Sequence, residues 1–147
     1  MLSNLFWKKK LPDKIPKVIQ LIIQELKRSE NQMDCLKKTY AILTSKYHGQ
    51  KLGTFLRFFN LFTTDLEKIW KKSGPLHCTT FNYLFRVLLV RSGFFNEQDL
   101  EQKITFIYYI SIHQYLKVKV NSNYVNIDGW AKIYGVKFGD YSHGFHS

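Results

Sequence analysis
The feature that most restricts the fold is a change of hydrophobic period at Arg91-Ser92-Gly93. Before it, apolar residues recur every three or four positions, the spacing of helices packed on a core. After it, β-branched and aromatic residues crowd together and alternate with polar ones, the mark of strands. Helices first and a meander of strands second is the signature of an α+β domain. The 147 residues are expected to form a single domain, 1–147, with a helical N-terminal part over 1–60 and a tail over 135–147.

The helical half reads as follows. Asp13 is placed to cap a helix with Pro16 in its first turn and Ile15, Val18, Ile19, Ile22, Ile23 and Leu26 on one stripe. Lys27 and Arg28 complement the dipole at its end. After Ser29-Glu30-Asn31 a second helix runs from about Met33 to Tyr47, with Leu36, Tyr40, Leu43 and Tyr47 on one side. Cys35 lies on it with no polar companion nearby and reads as structural. Lys51 to Asn60 is apolar nearly all round, as an interior turn or a short helix would be. Thr64, with Glu67 three residues on, fits a capping box for a short helix through Ile69 and Trp70 that stops at Ser73-Gly74-Pro75.

The next helix opens with a cysteine. Phe81, Leu84, Phe85, Leu88 and Leu89 form its stripe, and the break at Gly74-Pro75 puts Cys78 in or next to its first turn. Unpaired N–H groups and the positive dipole end there favour a thiolate, and thiols so placed fall from about 8.5 toward neutrality. Packing alone also explains a cysteine at the head of an apolar stripe.

In the strand half, Thr105 to Ile112 and His113 to Val120 read as two strands, and Tyr124 to Asp128 as a third after the turn at Asn121-Ser122-Asn123. A two-residue turn at Asn121-Ser122 sets Val120 opposite Asn123, Val118 opposite Val125, Leu116 opposite Ile127 and Tyr115 opposite Asp128. His113 is then the diagonal neighbour of Asp128 on one face. A four-residue turn would instead slide Asp128 opposite Lys117. Helix-head cysteine, strand histidine and aspartate on the adjacent strand are the parts of a Cys-His-Asp triad.

The order Cys78, His113, Asp128, with separations of 35 and 15 residues, resembles the transglutaminase-like superfamily. The resemblance spans roughly residues 64–134 and implies a papain-like α+β core: N-terminal helices, and a nucleophile helix packed on a small antiparallel sheet. It implies Cys78 as nucleophile, His113 in His-Gln-Tyr-Leu-Lys-Val-Lys-Val as base, and Asp128 in Val-Asn-Ile-Asp-Gly-Trp as orienter. The activity implied is thiol-dependent acyl transfer at amide bonds, by a transamidase or a cysteine protease or amidase, with no cofactor and no metal. Many members carry a glycine close before the cysteine and an aromatic straight after it, whereas His77 and Thr79 stand here.

For the oxyanion, the backbone N–H of Cys78 is the default donor, with Trp70 or Gln114 as a second. Trp130, two residues past Asp128, is placed either to shield the triad from water or to plug the core beneath the last strand. Gly129 to Gly135 reads as a short helical turn, and His143 and His146 as solvent-facing tail residues.

The formal net charge of +11, from 22 Lys plus Arg against 11 Asp plus Glu, favours an acidic peptide or protein substrate. The lysines are dispersed and no nucleic-acid module shows itself, so no specific nucleic acid is expected. Two cysteines without CxxC spacing and no cleavable signal point to a cytoplasmic setting. The apolar part of Met1 to Lys10 is too short to span a bilayer and reads as an arm. Two other readings remain: an inactive fold of the same superfamily that binds a protein or an anionic polymer, and a zinc site from Cys78, His113, Asp128 and His77.

Overall fold
The computed structural model describes residues 8–50, 64–108 and 111–144. Lys51 to Asn60, most of the N-terminal arm and His146 lie outside these residues. The described chain is a mixed α+β structure. It runs α1 (Lys17–Leu26), α2 (Gln32–Lys46), β1 (Tyr47–His48), α3 (Leu66–Lys71), β2 (Gly74–Pro75) and α4 (Cys78–Arg91). A 3₁₀ turn (Glu97–Asp99), strands β3 (Leu100–Ile107), β4 (Ser111–Val120) and β5 (Asn123–Ile127), and a 3₁₀ turn (Gly129–Tyr134) follow. The N-terminal helices pack against two small sheets, a parallel pair β1-β2 and an antiparallel meander β3-β4-β5. Among the described residues no helix is long and apolar enough to cross a membrane.

Helix α4 is the element the others enclose: every residue from Cys78 to Leu89 is buried. The stripe read from its apolar residues is too narrow, because α1, α2 and β4 all pack on this helix. Two of its polar residues, Asn82 and Arg86, reach hydrogen-bond partners inside, whereas the Thr80 hydroxyl is buried without one. The Asn82 amide donates to the Gln114 carbonyl at 3.1 Å, and Arg86 donates to the Lys9 carbonyl and to Glu97, each at 2.8 Å.

Local signals at the helix starts are displaced by a residue or more. α1 begins at Lys17, with Pro16 as the cap residue and its carbonyl accepting from Ile19 and Gln20. Asp13 lies too far upstream to cap it, and Val18 is exposed while Ile19, Ile23 and Leu26 are buried. α2 is capped by Asn31, whose side chain accepts from the Asp34 N–H at 2.9 Å. α3 is capped by Asp65 rather than Thr64, so the expected capping box does not form. A carboxylate one residue later is the stronger acceptor for the Lys68 N–H.

The first strand is also displaced. β3 starts at Leu100 and the chain turns after Ile107, where Tyr108 adopts a left-handed φ of 52°, inside the stretch expected to be one strand from Thr105 to Ile112. Glu101 and Lys103 hid the start, since they form an ion pair on the polar face while Leu100 and Gln102 face inward. The β4–β5 register is the two-residue form: Val120 pairs with Asn123, Val118 with Val125 and Leu116 with Ile127. Asn121 takes the left-handed φ of 55° that such a turn requires. In the tail His143 is exposed, whereas Val136 and Ser142 are buried.

Candidate active site
Cys78 is the first residue of α4, and His77 caps the helix. His77 Nδ1 accepts from the Thr79 N–H at 3.3 Å and lies 3.7 Å from the Cys78 sulfur. A nitrogen that accepts from a backbone N–H carries no proton, so it has none to give a thiolate. The parallel pairing of β1 with β2, Tyr47 with Gly74 and His48 with Pro75, sets where the chain enters the helix.

The other two residues come from the meander. With Leu116 opposite Ile127, the β4–β5 register brings His113 to the diagonal of Asp128. His113 Nε2 and Asp128 Oδ2 are 2.8 Å apart, and each residue is only 2% exposed. A carboxylate accepts, so Nε2 is the protonated nitrogen and Nδ1 is left for the sulfur. Asn82, one turn after Cys78, donates to the carbonyl of Gln114, the residue beside His113, which ties the helix to β4 at this level.

Cys78 and His113 interact electrostatically and shift in opposite directions. Burial opposes the Cys78 thiolate, yet His113 and, after it, His77 together outweigh burial, and the thiol is held down at about 6. Burial likewise opposes the imidazolium, but the hydrogen bonds to Asp128 and Cys78 hold His113 up at about 9. Cys35 is the contrast: burial pushes its thiol up, and its sulfur donates to Ser92.

Asp128 is held on both oxygens. Oδ2 accepts from His113 and from the Ser142 N–H at 2.9 Å, while Oδ1 accepts from the Ala131 N–H at 3.3 Å. Trp130 lies on His113 with ring centroids 4.8 Å apart. Gly49 seats it: the Gly49 N–H donates to the Trp130 carbonyl at 2.9 Å, and a Cβ on Gly49 would fall 2.5 Å from the indole. Trp130, 6% exposed, thus both packs on the core and covers the imidazole.

The structure brings Cys78, His113, Asp128 and Trp130 together. Trp70 instead packs edge-on against Tyr47, at 6.1 Å between centroids, with the Lys46 ammonium over its ring. The Gln114 side chain accepts from Gln102 at 3.0 Å, on the face of β4 opposite His113. Among the described residues no group of three or more His, Cys, Asp or Glu side chains is arranged to hold a metal ion.

Ser142, Ala131 and Gly49 were not legible as site residues. The first two act through backbone N–H groups, which no residue type announces. Asp128 ahead of Gly-Trp-Ala does carry a readable signal, that of an aspartate capping a helical turn. No protein-family model, curated protein or solved structure matches the chain.

Proposed function
We propose that the protein is a transglutaminase-like thiol enzyme with a papain-like core, performing acyl transfer at amide bonds through Cys78, His113 and Asp128. The observation that carries this reading is the buried 2.8 Å His113–Asp128 hydrogen bond behind a thiol held down at about 6. The Cys78 thiolate attacks the amide carbonyl carbon; a C–S bond forms and the carbonyl electron pair moves to oxygen. The Cys78 N–H, a first-turn donor without an intrahelical acceptor, receives that oxyanion. The pair then returns, the C–N bond breaks, and His113 delivers its proton to the departing amine. Water or a second amine, losing its proton to His113, attacks the thioester and releases the thiolate. Asp128 holds the imidazole in the tautomer and plane that both transfers need.

The net charge of +11 supports an acidic peptide or protein as acyl donor, and two unpaired thiols suit a reducing cytoplasm. The test is an acyl-donor screen on the full chain, read by mass spectrometry of the Cys78 peptide. A thioester adduct at Cys78 is expected, with turnover reduced about 10³-fold or more in Cys78→Ala and in His113→Ala while circular dichroism is unchanged. Full activity in both variants refutes the reading. A second reading, an inactive relative that binds a protein or an anionic polymer, draws on the 5% exposure of Cys78. In that case Cys78 reacts with iodoacetamide no faster than Cys35.

A further inference from the structure
We propose that residues 139–144 form a positioning strap, in which the Ser142 N–H fixes the Asp128 carboxylate against His113 and the surrounding residues close the pair to water. The proposal rests on the triad reading and assigns a role to a segment with no recognisable motif. The strap is anchored at both ends and in the middle. The Gly139 N–H donates to the Asn126 carbonyl of β5 at 3.1 Å. At the other end Gly144 donates to the Phe106 carbonyl of β3 at 2.9 Å and accepts from the Tyr108 N–H. Between them the Tyr141 ring stacks on Tyr115 of β4, 4.2 Å between centroids and 9° from parallel. The segment therefore crosses all three strands on the face that carries His113, Tyr115 and Asp128.

Ser142 sits at its centre and is wholly buried. Its hydroxyl has no hydrogen-bond partner, whereas its N–H meets Asp128 Oδ2 at 2.9 Å. The group in use is the main chain, so the side chain is dispensable and the N–H is not. Two donors on Oδ2 arriving from different elements fix the carboxylate plane; without Ser142 it is held only by His113 and the longer 3.3 Å bond from the Ala131 N–H to Oδ1. Gly139 and Gly144, at φ of 94° and 56°, supply the turns that lay the strap down and lift it off.

The titratable groups facing the pair are Cys78 of α4 with the cap residue His77, Tyr40 of α2, Tyr115 of β4, and Tyr141 of the strap. The test reads the His113 Nε2 proton directly, as a far-downfield NMR resonance of the full chain assigned by its loss in His113→Ala. In Ser142→Pro, which removes the donor, exchange of this proton with water is expected to accelerate about tenfold or more. In Ser142→Ala, which keeps the donor, it is unchanged. Should the proline variant not fold, Tyr141→Ala loosens the strap without touching a backbone donor and is expected to act in the same direction. An unaltered proton in whichever of these variants folds overturns the strap alone. An alkylation midpoint for Cys78 near the ordinary 9.0 in the wild-type chain overturns the nucleophile assignment, and the positioning role with it.

Discussion

Cys78 and His113 share a proton, and the pH dependence follows from which of them holds it. Below about 6 both are protonated and no thiolate exists; above about 9 the imidazolium that the proposed mechanism uses to protonate the leaving amine is gone. Turnover is therefore expected to rise through pH 6 and fall through pH 9, a bell measured as kcat/KM against pH. Alkylation isolates the acid limb. Cys78 should react with a midpoint near 6, and His113→Ala should move that midpoint back toward 9.0, because burial is then opposed only by the weaker effect of His77. Asp128→Asn keeps the size but removes the charge behind the ring; a drop of about 10²-fold or more in turnover is expected from the lost imidazolium support. The three residue types and their spacing were readable because chemistry restricts which side chains can serve. For Trp70 and Gln114 residue type is a weaker guide: an indole eight residues before the cysteine, or an amide beside the histidine, has many packing partners in space. Tyr47 and Gln102 claimed these two.

At the scale of elements, the placement of the imidazole depends on glycine. Gly49 touches both the indole and the carbonyl of Trp130, and Trp130 in turn backs His113. Gly49→Ala is expected to displace Trp130, lowering stability by about 1–3 kcal/mol in thermal melts and reducing turnover together with it. Asn31→Ala, at the head of α2 and remote from the site, should cost about 1 kcal/mol and leave turnover unchanged. Comparing the two separates general destabilisation from loss of site geometry. The start of α4 at Cys78 was legible because Gly74-Pro75 breaks the chain just upstream. The starts of α1 and α3 were not, because Asp13, Pro16, Thr64 and Asp65 offer competing caps that only the tertiary path of the chain resolves.

For the whole molecule, the shared proton makes a second, contrasting prediction. Taken singly, His113 held up to about 9 adds stability present below 6.5 and lost as the pH rises through 9. Cys78 held down to about 6 adds stability present above 9.0 and lost as the pH falls through 6. Between 6.5 and 9 the folded pair holds one proton on His113, and the unfolded pair holds one on Cys78. The opposed slopes cancel. The difference in melting temperature between the wild type and the double variant Cys78→Ala/His113→Ala should thus stay level from about pH 6.5 to 8.5. Arg86 links a different pair of regions: buried in α4, it reaches both the Lys9 carbonyl and Glu97, and Arg91 reaches the Pro12 carbonyl. Arg86→Met should release residues 8–12 from α4, seen as faster limited proteolysis after Lys8 to Lys10 at an unchanged Cys78 alkylation midpoint.

The α+β order and the cysteine at the head of α4 were legible in the chain, while the two-residue turn that sets β4 against β5 was one of two registers left open. These are local matters: hydrophobic period, chain breakers and turn chemistry act over a few residues and leave their mark in residue type. Only the tertiary structure decided how deeply α4 is enclosed, that β1 and β2 pair in parallel, and that residues 139–144 return across the sheet to Asp128. Such contacts are made largely by backbone groups, which every residue carries alike, so nothing in the order of side chains distinguishes the ones that will meet.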